Sequence, residues 1–410
     1  MTDTSMALLA RLEQASVSAE PDVLREALRW AMEALMDAEV TERLGAAPHE
    51  RTTERTGYRN GHRLRPLETR LGALELAVPR TRTGSYFPDW LIEPRRRAER
   101  ALVAVIQEAY VKGVSTRKVD DLVRAMGGSG ISKSEVSRLV AELDTDLAAF
   151  RERRLEGTTY PYLWLDAQYE KVRDGGRIVN AAFLVAIAVN ERGEREVVGC
   201  AVAAAESAAS WTAFLRSLVA RGLDGVRLAT SDAHLGIQAA IAATLEGAAW
   251  QRCRVHLLRD ILDHVPRHAS SMVAAFVRTV FTQPDEASAR SQLRSVAERL
   301  TTSFPKAAEI LLAAEDEVLA YLACPREHWT KIWSTNPLER LNREIGRRSD
   351  VVGIYPNDAA LIRLAGSLLI EQNDEWLVMR RYLSEESMQL VLARAADAER
   401  EAELSALPAA

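Results

Sequence analysis

Asp166 lies in the middle of Leu163-Trp164-Leu165-Asp166-Ala167, an apolar run with strand character. Strands disfavour Asp, and an ionised carboxylate taken out of water without a partner costs several kcal/mol, so the position calls for a cause. Asp232 poses the same question at the end of Leu228-Ala229-Thr230-Ser231, where a short buried strand hands over to a helix. Sites in α/β sheets gather at such strand ends. A third carboxylate is expected on a later helix, and Glu339 is the candidate: Pro337 suits that helix's first turn and Glu339 follows early in it. Glu344 is its rival on the same helix. Two carboxylates about 4 Å apart repel by roughly 4 kcal/mol at an effective dielectric near 20, and a divalent cation reverses that sign. Hard oxygen donors suit Mg²⁺ or Mn²⁺, here two ions held by Asp166, Asp232 and Glu339. Such a centre does phosphoryl transfer: one metal activates a water or a 3′-hydroxyl, and the other stabilises the leaving oxygen. Taken singly, either Asp also reads as a helix cap or turn residue; the pair reads that way far less well.

Cys253 and His256 form a Cys-x-x-His pair with two readings. One is a zinc site completed by His264 and His268. In the other, Cys253 packs in the last strand of the sheet and His256 supports the acids or contacts DNA. The second is preferred, because two ligands make only half a site. Arg340, Arg343, Arg347 and Arg348 form either a solvated helix face or a phosphate grip beside the metals. Trp211 sits on an apolar helix face, which favours core packing over stacking on a flipped base. His234 reads as a polar helix start and takes no assigned role.

The elements needed to position these residues are legible in the alternation after Tyr160. Strands are predicted at Tyr162–Arg173, Arg177–Val189 and Arg195–Val202, with Asp174-Gly175-Gly176 as the first turn. A helix follows over Ser207–Ala220, then a strand at Val226–Ser231, a helix at His234–Leu245 and a strand at Ala249–Val255. The order βββαβαβ, antiparallel first and crossing over afterwards, predicts an α/β fold with an RNase H-like layout. Its first and fourth strands lie side by side, which would bring Asp166 to Asp232. Residues 257–333 read as an all-helical insertion, with helices at Ser270–Phe281, Glu286–Leu300 and Lys306–Leu322. The catalytic domain is thus assigned to 156–256 and 334–385, with a helical tail at 386–410.

Ahead of it, residues 1–45 show helical periodicity, and 46–100 form a small basic module with a strand at Leu71–Val78. Residues 101–155 read as a helix-turn-helix. Thr116–Met126 is helical, Gly127-Gly128-Ser129-Gly130 breaks it, and Ser132 with Glu135 matches a capping box opening Val136–Leu143. Lys133, Ser134, Ser137 and Arg138 would then face a DNA groove, unless this is an ordinary helical hairpin.

Composition sets the outer bounds. The chain has 410 residues, 47% of them hydrophobic, enough for two or three domains each with its own core. The net charge of −5 hides an uneven distribution: between Arg51 and Arg97 eleven arginines face five acids, a local surplus of six positive charges. Arg59, Arg63 and Arg80 belong to this candidate phosphate-facing surface. Three cysteines form no disulfide framework and suit a reducing compartment. The longest apolar run, Asn180–Val189, is about half the length of a membrane helix and no leader pattern opens the sequence, so the expected location is the cytoplasm.

The motifs resemble those of the Mutator-like, DDE-type transposases of bacterial insertion sequences. The strongest stretch runs from Ser231-Asp232-Ala233-His234-Leu235-Gly236-Ile237 through Thr244-Leu245 and Ala248 to Trp250-Gln251-Arg252-Cys253-Arg254-Val255-His256. Glu246 departs from it, standing where the family pattern has Pro or Thr. Further matches are Leu165 to Arg173, Asn336 to Arg343, Gly57 to Gly61, and Val78-Pro79-Arg80. The resemblance implies that Asp166, Asp232 and Glu339 are the acidic triad. It further implies that the N-terminal region reads terminal inverted repeats in double-stranded DNA, that freed ends are joined to target DNA, and that the protein acts as a homodimer. Two alternatives stay open: an RNase H-like structure-specific nuclease or resolvase, and a non-catalytic DNA-binding protein derived from a transposase.

Overall fold

The computed structural model describes residues 21–393, apart from 54, 70–71, 83, 85, 87, 89–90, 92–99, 112–113, 115 and 126–130. The chain divides into two compact units, Met1–Leu143 and Asp144–Ala410.

In the first unit, helix α1 (Pro21–Leu44) packs on an antiparallel pair, β1 (Arg59–Thr69) and β2 (Gly72–Thr81). The alternation along β2 puts Leu74, Leu76 and Val78 on one face, where they meet Met32, Met36 and Val40 of the helix. Most of β1 from Asn60 to Leu64 is exposed. Residues 1–20, part of the predicted helical front end, lie outside the described residues, as does Leu71. Three helices follow, α2 (Arg100–Val111), α3 (Thr116–Ala125) and α4 (Lys133–Ala141), around Ile106, Val119, Val136 and Leu139. The capping box expected at Ser132 is half formed. Ser132 Oγ accepts from Glu135 N at 3.1 Å, but the Glu135 carboxylate turns to Arg138 instead of reaching back. The glycine-rich break at 127–130 lies outside the described residues.

The second unit opens with α5 (Leu143–Glu152) and is built on a five-stranded mixed sheet in the order β5-β4-β3-β6-β7. Its strands are β3 (Tyr162–Asp174), β4 (Arg177–Val189), β5 (Arg195–Ala203), β6 (Leu228–Ser231) and β7 (Ala249–Arg252). The β3–β4 hairpin closes through Gly175 and Gly176 at φ 53° and 81°, the doubly left-handed turn that suits a two-residue loop. β3 pairs antiparallel with β4 and parallel with β6, so the first and fourth strands of the sheet are neighbours.

Leu163 and Leu165 point to the face covered by α6 (Ala208–Ala220) and α7 (Leu235–Thr244), where they share a core with Trp211, Leu215, Leu218 and Ile237. Helix α6 starts at a complete capping box made by Ser207 and Ser210. Tyr162 and Trp164 point the other way: Trp164 Nε1 donates to Ser334 O at 3.1 Å, and Tyr162 Oη lies 2.7 Å from His328 Nδ1.

The strand expected to reach Val255 ends at Arg252, because Cys253 becomes the N-cap of α8 (Arg254–Leu262). Cys253 therefore does not pack within a strand. After α9 (Arg267–Val280) and α10 (Glu286–Thr301), the single helix expected at Lys306–Leu322 is broken into α11 (Pro305–Ala313), α12 (Glu315–Leu319) and a 3₁₀ turn. Helix α13 (Trp329–Ile332) leads to the two long helices α14 (Asn336–Val352) and α15 (Asp358–Val378).

The β4–β5 turn anchors the segment after α15. Gly193 has φ 78° and its carbonyl accepts from both Tyr382 N and Leu383 N at 3.0 Å. A Cβ at this position would stand 2.1 Å from Leu383 O. Gly193→Ala should therefore destabilise by at least about 2 kcal/mol in urea unfolding, through strain and clash together. It should also speed proteolytic cutting near Arg380, while wild-type stability in the variant would refute the anchoring role.

Candidate active site

β3 pairs with β6 only as far as Trp164 opposite Thr230. Asp166 stands just past that point, still within β3 and paired to Val185 of β4, and Asp232 lies just past the end of β6, so the two acids flank the place where the parallel β3–β6 ladder ends. Period two places Asp166 on the same face as Trp164, away from the apolar core. Helix α14 crosses this face. Glu339 lies in its first turn and Asn342 one turn further on, and the i, i+3 spacing puts both on one side of the helix.

Asn342 Nδ2 donates to Asp166 Oδ2 at 2.7 Å, and Ala167 N donates to Asp166 Oδ1 at 3.1 Å. A cavity of about 300 Å³ is lined by Asp166, His256, Thr335, Glu339, Asn342 and Arg343, among others. Asp232 stays behind this wall, its Oδ1 accepting from His234 N at 3.2 Å. Glu344 is drawn off to Arg348 and Arg347, at 2.6 and 3.3 Å, and Arg348 first and foremost holds its carboxyl below the usual range.

Burial pushes the Asp166 carboxyl up to about 7, although the residue keeps part of its surface; the nearby charges of Asp232 and Glu206 add to the rise, and His256 opposes it. Glu206 is a fourth acid that the sequence reading missed. It accepts from Trp211 Nε1 at 3.0 Å and lies 3.6 Å from His234 Nδ1. Placed between β5 and the Ser207 cap, it carried no signal beyond its residue type.

Cys253 and His256 form a polar pair beside the acids. Burial alone would push the Cys253 thiol up, yet hydrogen bonds from His256 and Thr335 more than reverse it; Thr335 N lies 3.3 Å from the sulfur. The bond to Cys253 raises His256 against the opposing effect of burial, helped by the charges of Cys253, Asp166 and Asp232. His264 and His268 are exposed. Trp211 is fully buried in the core.

Among the described residues, no group of three or more His, Cys, Asp or Glu side chains is gathered tightly enough to hold an ion unaided. The donor chemistry still fits Mg²⁺ or Mn²⁺. Two hard carboxylates, Asp166 and Glu339, line one cavity, and Asn342 Oδ1 and His256 Nδ1 are buried without a partner. Mg²⁺ commonly takes one or two protein carboxylates and fills its remaining positions with water and substrate phosphate oxygens. Asp166 and Glu339 thus share a cavity without forming a closed cage of ligands.

Of the candidate DNA contacts, Arg343 lines the cavity and Arg340 is exposed on α14. Arg63 and Arg80 are exposed, whereas Arg59 is tied to Asp37 at 3.1 Å and to Thr41. Arg138 is paired with Glu135, and the Lys133 side chain lies outside the described residues.

Residues 1–379 match the family model described as transposase, Mutator family. The chain is 47% identical to the transposase for insertion sequence element IS1081 of Mycobacterium tuberculosis, over 97% of this chain and 94% of that one. It is 42% identical to the transposase for ISRM5 of Rhizobium meliloti, covering 89% and 91% of the two chains. With the transposase for IS256 in transposon Tn4001 of Staphylococcus aureus it shares 36% identity, over 90% and 94%.

In an unfolded chain the Asp166 carboxyl ionises near its ordinary value of about 3.9. In the folded protein it ionises near about 7, so the folded state holds the extra proton between these values and stability falls as pH rises through that window. Without divalent ions, Asp166→Asn should melt several degrees above wild type at pH 8, with the difference vanishing towards pH 4. Equal melting at both pH values would show that Asp166 carries no such burden.

Proposed function

The chain belongs to the Mutator family of transposases, and from that premise we propose that it binds the terminal inverted repeats of an insertion sequence and performs metal-dependent cleavage and transfer of DNA strands. The catalytic domain is RNase H-like and of the DDE type, with Asp166, Asp232 and Glu339 as its acids. The observation that carries this reading is the shared cavity: a sheet acid and a helix acid, far apart in sequence, line one space while Asp232 is close enough to raise Asp166.

Asp166, Asp232 and Glu339 would hold Mg²⁺ or Mn²⁺, which supplies an activated water or 3′-hydroxyl and stabilises the leaving oxygen when bound. Asn342 orients the Asp166 carboxylate and fixes which oxygen faces the cavity. His256, drawn towards its protonated form by Cys253, offsets the repulsion between Asp166 and Asp232. Arg343 reaches the same cavity and suits a bridging phosphate. The exposed β1 face with Arg63, and α4 with its flanking α3, supply the DNA-reading surfaces of the N-terminal unit. The working form is a homodimer, one protomer for each element end. No helix among the described residues is long and apolar enough to cross a membrane, and the substrate is double-stranded DNA.

Asp166→Asn should abolish cleavage of a duplex carrying the element's end while leaving its binding intact. Asn342→Ala should slow cleavage by about 10- to 100-fold, the usual range for a residue orienting a metal ligand. Retained cleavage in Asp166→Asn would overturn the acid assignment. Cleavage without joining of a labelled 3′ end to target DNA would favour the nuclease alternative.

A further inference from the structure

On the same sheet face as Asp166, towards the start of β3, lies a second cavity of about 720 Å³ with no role in the centre described above. Lys331, Arg380, Arg381, His328 and Tyr382 line it, together with the acids Glu327, Glu385 and Glu386. Arg381 is neutralised by its pairing with Glu385. Lys331 and Arg195, the latter outside the cavity lining, are gathered around the Tyr382 ring. The Arg195 guanidinium stacks 4.6 Å from that ring's centroid and 3.8 Å from that of Trp376, while Lys331 Nζ lies 5.0 Å from the Tyr382 centroid and donates to Tyr382 O.

Among the described residues, none of Arg195, Lys331 and Arg380 has a carboxylate within ion-pair distance. Burial lowers Lys331, the neighbouring Arg380 and Arg195 lower it further, and Glu327 offsets only part. Burial likewise lowers Arg195, and Arg340 of α14, next to the candidate catalytic Glu339, adds to this. Like charges brought together in this way carry an electrostatic cost that an anion removes.

His328 is fully buried, and its Nε2 has no partner. Burial and then Lys331 push its pKa down to about 4, so the ring is neutral at ordinary pH. In the tautomer in which Tyr162 donates to Nδ1, the imidazole carries its own proton on Nε2 and can donate it to an anion. The helix over 385–393 contributes nothing further here, since Ser384 already caps it.

We infer that Lys331, Arg380 and His328, with Arg195 stacked on Tyr382 beside them, form a phosphate-binding subsite that holds the backbone of a DNA strand as it leaves the cutting centre. This rests on the DNA-cutting reading for its ligand, a phosphodiester. Successive strand residues advance about 3.3 Å, so Tyr162 lies roughly 13 Å along β3 from Asp166, a span of about two nucleotides.

The test uses the full-length protein and a 40-base-pair duplex of arbitrary sequence, with affinity measured across a salt series. Removing two phosphate contacts should flatten the slope of log affinity against log salt by about 1.4 to 1.8 in the Lys331→Gln/Arg380→Gln variant. Arg216→Gln/Arg299→Gln, exposed on α6 and α10, removes the same net charge and should leave the slope unchanged. An unchanged slope in the first variant, or equal flattening in both, overturns the subsite. Binding of radiolabelled inorganic phosphate that the first variant loses without a change in DNA slope assigns the cavity to a small anion and also overturns it. Because slopes are read from binding, retained cleavage in Asp166→Asn would sink the catalytic assignment while leaving this result intact.

Discussion

The second unit is organised around an electrostatic constraint: a carboxylate in the middle of β3 and one just past the end of the neighbouring β6 stand where the parallel ladder stops, and a helix brings Glu339 to the cavity that Asp166 lines. Burial first pushes the Asp166 carboxyl up, and the charge of Asp232 adds to that rise. The surrounding structure manages that cost without removing it. Asn342 and Ala167 donate to Asp166, His234 N donates to Asp232, and the Cys253–His256 pair brings positive character to the same place. Each compensates in part.

The sheet divides the work between its faces. Under α6 and α7 it is apolar, with Trp211, Phe214 and Leu218 filling the core against Leu163 and Leu165. On the other face, Tyr162, Trp164 and Asp166 project in turn along β3, meeting His328, Ser334 and Asn342 of the later helical segments. Helices α8 to α13 thus serve a positional purpose: Trp333 O accepts from Arg254 N, and Ile332 O from Thr230 Oγ1, locking the entry to α14 onto β6 and the start of α8. That lock sets where Glu339 begins. Glu344, on the same helix, is turned to Arg347 and Arg348 and does not compete for the cavity.

Strands with strong alternation and glycine turns were legible from local pattern, as at Arg177–Val189, where the predicted and observed limits coincide. Limits failed where a tertiary contact intervened. β7 stops at Arg252 because Cys253 is taken up by Thr335, and that partner lies 82 positions away. The capping box at Ser132 was right for the hydroxyl and wrong for the carboxylate, since Glu135 has a closer arginine. Glu206 and the Arg195–Lys331–Arg380 cluster had no periodic or motif signal, because their neighbours come from distant segments.

The sequence by itself determined the element order of the sheet, the anomaly of Asp166 within a strand and of Asp232 at a strand end, and the family membership, because these depend on local propensity, burial pattern and residue spacing. Only the tertiary structure decided that Glu339 and Asp166, far apart in sequence, line one cavity. It also decided which arginines are tied up internally, as Arg59 is by Asp37, and which cations crowd together on one face. The physical reason is range. Propensity is settled within a few residues, but the energy of a charge depends on everything within about a Debye length, whatever its place in the chain.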